Sequence, residues 1–410
     1  MRAVSKLDTP ATLAPPRRPV RDPRHAGPNE ARIRPWTING DFLTLKPTGV
    51  ARFGREMTIA LDALIDEDHP LARDLDLRIV APRAPTHPLP LQHIPITIVP
   101  EFRLRLPQVW IQFQLPRHLR GGLLSFCNLA PVLTEHQIVC IHDLQTRTTP
   151  ESYGILFRLM HHLILPNLGR HVDAVTTVSE ASRDRIVRFG VAPARNVAVV
   201  YNGSDHVRRW CVDRSVVPSM SERPFVLCIG RDEAHKNMEL IWRLAAPLDA
   251  AGIDVVVAGD FDPLRLDTGG DRTPPNIRCL GRVSDDQLAR CFADALCFLF
   301  PSRTEGFGLP AIEAMACGCP VVASLAPCLP EICGSAAIFA DPDDLEGWVS
   351  AVRHLRDHPQ ARSDLRGEGR IQAQRYSWRD AALRYLELMH NIDVSRSHRQ
   401  GLLAPAPDSM

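Results

Sequence analysis

Short apolar runs of strand length alternate with amphipathic stretches along most of this chain, and the alternation begins twice. Strand-like and helical patterns take turns from Trp36 to about Asp205. The pattern restarts at Phe225, with Phe225–Ile229, Val255–Ala258, Ile277–Leu280, Leu296–Phe300 and Val321–Ala323 as strands. Such alternation predicts parallel sheets with helices on both faces, so the fold class is α/β: two doubly wound Rossmann-like domains facing an interdomain cleft. The first domain is expected over residues 35–205, a polar hinge carrying Pro218 over 206–222, and the second domain over 223–375. A further helix, Trp378 to Met389, falls within residues 376–392 and leaves 393–410 as a tail. Inside the first domain Val50, Phe53, Met57, Leu61 and Leu64 recur at helical spacing and predict the core face of an amphipathic helix. No internal repeat at solenoid periods is present.

Composition narrows this picture. A chain of 410 residues suffices for two domains, each with its own core. A net charge of +1, with both signs mixed throughout, gives no sign of a nucleic-acid partner. Residues 1–34 are rich in Pro and Arg with almost no apolar periodicity and are expected to be disordered. Arg17, Arg18, Arg21 and Arg24 there either attract anionic lipid or belong to an inert tail. No apolar segment of signal-peptide type follows Met1, and no run of eighteen apolar residues predicts a transmembrane helix. The eleven cysteines are an odd number, and Cys140, Cys228, Cys279 and Cys297 sit inside apolar runs, where a thiol packs as a small hydrophobe. They read as reduced thiols of a cytoplasmic protein. Cys317 and Cys319 lack the spacing of a zinc site.

The chemistry concentrates at four loops. In FPSRTEGFGLPAIEAMACGCPVV, residues 300–322, Glu305 and Glu313 are separated by seven residues that read as a strand end, a glycine turn and a helix start. Gly306 and Gly308 let the backbone turn and approach a ligand, Pro310 suits the first helical position, and Glu313 is placed in the first turn. A helix N-terminus presents N–H groups to phosphate, and two carboxylates beside it accept hydrogen bonds from sugar hydroxyls, so the implied ligand is a sugar joined to a diphosphate. The bland alternative is a pair of solvated or helix-capping acids. In residues 225–244 a buried strand leads to Arg231 and Lys236 in a loop that opens a helix, two cations suited to a diphosphate leaving group unless they are only a solvated basic loop. Thr48 and Gly49 open the amphipathic helix, with Gly49 either a second phosphate-approach glycine or a cap. Finally, the strand in IVCIHDLQ ends in His142 and Asp143, which places His142 toward the crevice at the carboxyl end of a parallel sheet, although a lone histidine is often structural.

Together these residues resemble the retaining GT-B glycosyltransferases of family 4. The resemblance rests on Thr48-Gly-Val50, His142-Asp143, Thr177-Val-Ser-Glu180, Val200-Tyr-Asn-Gly-Ser-Asp205, Gly230-Arg231 with Lys236-Asn237, Gly281-Arg-Val283, and Glu305 to Glu313, and spans about residues 36–390. The opening ING-DFL with Thr-Gly-Val-x-Arg, and Ser-Arg-Asp at 182–184, look most like the mannosyltransferase-type branch that builds bacterial surface polysaccharides. The resemblance implies that Arg231 and Lys236 hold the donor diphosphate, Glu313 the ribose, and Glu305 with the amides of Phe307, Gly308 and Leu309 the donor sugar. By the same resemblance Val283 contacts the base, His142 meets the sugar from the first domain, Gly49 lies near the phosphates, and the last helix crosses back to the first domain. Relatives often carry two glycines in the first loop, where this chain has Thr48-Gly49.

The implied reaction is metal-independent transfer, with retention, of a sugar from a nucleotide donor, GDP-mannose first, to a glycan or polyprenyl-linked glycan in exopolysaccharide or O-antigen assembly. No cofactor or metal is expected: Asp74-Leu-Asp76 and Asp341-Pro-Asp343 do not make a convincing Asp-x-Asp site. The expected place is the cytoplasm, with peripheral contact at the inner membrane suggested by residues 101–124, where Phe102, Trp110, Ile111, Phe113 and Leu115 mix with Arg103, Arg105, Arg117 and Arg120. The preferred reading of that segment is a core helix with a basic solvated face. A UDP- or dTDP-sugar transferase, a nucleotide-sugar epimerase and a non-catalytic binding protein are the alternatives.

Overall fold

The computed structural model describes residues 12–13, 33–46, 48–102, 107–214, 221–262 and 273–402. Most of the expected N-terminal tail, residues 215–220 of the expected hinge, and Arg103 and Arg105 lie outside the described residues. Two sheets form. The first contains β1 (Thr12–Leu13), β2 (Arg34–Asn39), β3 (Leu75–Ala81), β4 (Ile96–Ile98), β5 (Gly122–Ser125), β6 (Gln137–Cys140), β7 (Ala174–Thr177) and β8 (Val197–Val199), in the order β1-β4-β3-β2-β5-β6-β7-β8. All its pairings are parallel except that of β1 with β4. The second contains β9 (Phe225–Ile229), β10 (Asp254–Ala258), β11 (Ile277–Gly281), β12 (Cys297–Phe300), β13 (Val321–Ser324) and β14 (Ala337–Ala340), parallel throughout, in the order β11-β10-β9-β12-β13-β14.

Central strands such as β6, β10 and β12 are buried along their whole length, which is why they read as continuous apolar runs rather than alternating ones. In each sheet the strand order reverses once, between β2 and β5 and between β9 and β12. A crevice opens at such a point, outside the carboxyl ends of the strands. The loops after β9 and β12 carry Lys236 and Glu305, and the loop after β2 leads into the helix Gly49–Asp66.

The last helix, Trp378–Leu402, is longer than the Trp378–Met389 that the apolar pattern predicts, and residues 393–402 of the expected tail are helical. It packs on the helix Gly49–Asp66 and is tied to the first domain by Arg34 to Asp393 at 2.7 Å, Arg396 to Asp173 at 2.9 Å, and the Tyr385 and Thr176 hydroxyls at 2.6 Å. Asp393 continues the hold beyond Met389, because its carboxylate also accepts the Trp36 indole N–H at 3.1 Å.

Three further expectations change. Cys279 is exposed on β11, an edge strand whose middle positions face solvent, whereas Cys140, Cys228 and Cys297 are buried as expected. Glu313 is the fifth residue of the helix Leu309–Ala316 and so sits in its second turn. Residues 107–118 break into short helical pieces ending at Leu115–His118, which holds Pro116; Trp110, Ile111 and Leu115 enter the core while Phe102 and Phe113 stay exposed.

Candidate functional site: a cleft between the two sheets

The loop after β9 is held by Asn237, whose backbone adopts the left-handed conformation at φ 55° that asparagine tolerates. Its side-chain amide donates to the carbonyls of Pro301 at 3.3 Å and Pro342 at 2.9 Å. So fixed, the loop sends Lys236 to Glu305, Nζ to Oε1 at 2.6 Å. Both side chains are largely buried, 17% and 10% exposed. Burial alone raises the Glu305 pKa, but the Lys236 ammonium outweighs it and holds the carboxyl below its ordinary value. Arg231, a third exposed, stands 3.9 Å from Glu233.

The turn after Glu305 requires both its glycines. A Cβ at Gly306 would come within 2.6 Å of the His142 carbonyl oxygen, and Gly308 has φ +93°. The Gly306 carbonyl accepts the Ser179 hydroxyl at 2.6 Å and that of Ser182 at 3.1 Å, both from the first domain. Phe307 and Leu309 are buried on either side of Gly308. The helix Leu309–Ala316 starts at Gly308 with no side-chain cap, so neither glutamate serves as a capping acid.

Glu313 is also buried, and two residues absent from the expected site hold it. His206 Nε2 lies 2.9 Å from its Oε1, and Arg52 Nε 3.4 Å from the same atom. Arg52 reaches from the helix Gly49–Asp66 and grips Asp285 through both terminal nitrogens, at 3.1 and 2.6 Å. Burial opposes its charge, yet Glu313 and Asp285 raise its pKa above the ordinary value. The Trp378 indole N–H donates to His206 Nδ1 at 3.0 Å. The last helix, the chain after β8 and Glu313 are thus linked in series.

His142 lies just past β6, but its ring is seated in its own domain: Nε2 donates to the Phe126 carbonyl at 2.7 Å and the ring meets Phe53 edge-on at 4.8 Å. Its neighbour Asp143 is the side chain that feels Glu305, His235 and Lys236, and burial raises its pKa. Gly49 opens its helix behind the Thr48 cap with open space where a Cβ would stand. Val283 is half-buried between β11 and the helix Asp285–Asp294.

The structure therefore joins Lys236 to Glu305 directly, sets Glu313 beyond the intervening turn, and leaves the His142 ring on the core. Arg52, Asp143 and His206 were the residues missed. Each had a signal, since Arg52 ends Thr-Gly-Val-x-Arg, Asp143 follows His142, and His206 follows Asn-Gly-Ser-Asp205.

The sequence pattern of the family described as Glycosyl transferases group 1 matches residues 212–372. The O-antigen chain mannosyltransferase B of Escherichia coli is 30% identical over 265 residues, covering 60% of this chain and 68% of that protein. A GDP-mannose:cellobiosyl-diphosphopolyprenol alpha-mannosyltransferase of Komagataeibacter xylinus is 30% identical over 177 residues, 41% of this chain and 45% of that one. Among solved structures, the sucrose-phosphate synthase of Thermosynechococcus elongatus superposes with a TM-score of 0.67 at 19% identity, over 88% of this chain and all of its own. With two parallel-sheet domains arranged as in that GT-B structure, and with the sequence match above, the chain belongs to the group 1 glycosyl transferases and is a glycosyltransferase of the GT-B fold.

Proposed function

We propose that this enzyme transfers mannose from GDP-mannose, with retention and without a metal ion, to a glycan or polyprenyl-linked glycan in bacterial O-antigen or exopolysaccharide assembly, as a family 4 member working at the cytoplasmic face of the inner membrane. The observation that carries the proposal is the buried Lys236–Glu305 pair at the carboxyl ends of β9 and β12. It sets a cation for phosphate beside a carboxylate for sugar hydroxyls, next to an uncapped helix N-terminus. The names of the two relatives support mannose as the sugar, and one of them supports GDP as the carrier and a polyprenol diphosphate as the acceptor's anchor.

In this reading Lys236 and Arg231 take the donor diphosphate. Glu305 and the amides of Phe307, Gly308 and Leu309 hold the mannose, Glu313 takes the ribose hydroxyls, Val283 lies along the base, and Gly49 leaves room for the phosphates. From the first domain it is the His142 backbone, packed against Gly306, that bounds the sugar, while its ring stays on the core and Asp143 faces Lys236. The bond from the anomeric carbon to the phosphate oxygen breaks as the acceptor hydroxyl attacks from the same face. The hydroxyl proton passes to a phosphate oxygen of the departing GDP. Charge growing on that diphosphate is met by Lys236, Arg231 and the helix amides, which are already in place and need little reorganisation.

Thermal shift with GDP-, UDP-, ADP- and dTDP-sugars tests the donor, since a ligand stabilises the fold according to its affinity. GDP-mannose is expected to give the largest shift. A larger shift with a UDP-sugar removes the mannosyltransferase reading and leaves the family.

A further inference from the structure

The helix Ile155–His171 leaves its largest aliphatic side chains in solvent. Ile155 and Leu156 are each 80% exposed, Leu159 56% and Leu163 62%. Positions 155, 159 and 163 stack at four-residue spacing with Leu156 alongside, so they form one stripe rather than scattered exposures. The opposite side is anchored, with Leu165 and Leu168 in the core of the first domain and His161 buried beside Phe157. Scattered exposed leucines need no explanation, but a contiguous apolar stripe on a well-anchored helix does.

The charges of this helix select among occupants. It contains no Asp or Glu, while Arg158, Arg170, His162 and His171 are its basic groups outside the core. An apolar stripe on a helix whose fixed charges are Arg158 and Arg170 suits an anionic lipid surface, where the aliphatic groups enter the acyl boundary and the guanidinium groups meet the headgroups. A second copy of the same face would set these arginines against one another.

The stripe also starts at the cleft. Tyr153 lies two residues before the helix, stacks on Phe157 at 5.7 Å, and donates its hydroxyl to Gln145 at 2.8 Å. The Gln145 amide in turn meets His235 Nε2 at 3.3 Å, next to the Lys236–Glu305 pair.

We propose that the exposed face of Ile155–His171 docks on anionic membrane and so sets the mouth of the cleft at the bilayer surface, where a lipid-anchored acceptor presents its glycan. The inference rests on the acceptor class given above, but its test does not depend on turnover. The full chain is sedimented with vesicles of phosphatidylcholine alone and with vesicles containing phosphatidylglycerol in equal part, alongside the double variant Leu156→Asp/Leu159→Asp. Both positions are exposed, so the fold is retained, and an unchanged thermal shift with GDP-mannose verifies it in the same samples. The expected result is binding of the native chain to the anionic vesicles only, weakened by high salt and reduced at least about tenfold in the double variant. Equal binding by the double variant overturns the proposal, as does a native chain that stays in the supernatant. A native dimer in solution that the double variant converts to monomer assigns the stripe to a second copy and overturns it too. Failure of the donor shift with vesicle binding intact strikes the donor assignment and leaves the docking surface standing.

Discussion

His206 Nε2 stands 2.9 Å from Glu313 Oε1, and a third residue fixes the direction of that hydrogen bond. The Trp378 indole can only donate, so His206 Nδ1 accepts, and the proton of the neutral ring sits on Nε2 and points at Glu313. The carboxylate is thereby aimed from the first residue of the last helix. His206→Leu removes that donor from a fully buried site, and a hydrogen bond to a charged group contributes about 1.5–3 kcal/mol. The donor KM is expected to rise about ten- to a hundredfold with a smaller change in kcat, and His206→Gln to recover part of the loss. Steady-state kinetics with GDP-mannose checks both; an unchanged KM in His206→Leu separates the histidine from donor binding.

Arg52 offers a second handle on the same carboxylate. Its contact with Glu313 is buried on the glutamate side, 5% exposed, whereas its partner Asp285 is 49% exposed. Exposed pairs contribute about 0–1 kcal/mol and pairs with a buried member more. Asp285→Ala should therefore change donor affinity less than about threefold, and Arg52→Ala at least about tenfold. Titration calorimetry with GDP compares the two. Equal effects mean that Arg52 acts through Asp285 alone.

Asp143 predicts a trade of stability against activity. Burial raises its folded-state pKa above the ordinary 3.8, so its ionisation costs stability as the pH rises past that value. Asp143→Asn removes the cost and keeps an oxygen for the Gln145 N–H, now accepted at 3.2 Å. The variant is expected to melt higher than the native chain at pH 7, with the gap closing toward pH 4, and to turn over more slowly. A lower melting temperature at pH 7 contradicts this.

The apolar pattern revealed the two sheets because buried parallel strands are uniformly apolar, and β9, β10 and β12 lie where their runs place them. The Glu305 to Glu313 turn was legible because its glycines and proline are demanded by local backbone geometry. What escaped was set by contacts between segments distant in sequence. Arg52 is 261 residues from Glu313, and the Thr-Gly-Val-x-Arg motif that marks it does not tell which residue of the other domain it meets. His142 and Asp143 were read together, but the side of the backbone each occupies depends on Phe53 and Phe126, which only the fold brings near. The exposed stripe on Ile155–His171 was invisible for the opposite reason, because an apolar helix reads as core until its packing is known.

His161 gives a pH prediction from the same helix. Burial pushes its pKa down to about 4, and among the described residues its Nε2 has no partner to support a charge. A base whose folded-state pKa is lowered contributes its full stability above the ordinary 6.5 and loses it as the pH falls toward 4. The melting temperature of the native chain should fall across that window, and less steeply in His161→Leu. Parallel slopes remove His161 as a cause.

In the proposed mechanism Lys236, paired with Glu305, meets the charge of the leaving diphosphate without help from a metal. The most direct measurement is kcat of Lys236→Ala against the native enzyme, at saturating GDP-mannose with a polyprenyl diphosphate-linked acceptor and excess EDTA. By analogy with the loss of one transition-state donor, a fall of about 10²- to 10³-fold is predicted, with native turnover unaffected by the chelator. A fall of less than about fivefold, or native activity that vanishes in EDTA and returns with magnesium or manganese, contradicts the account.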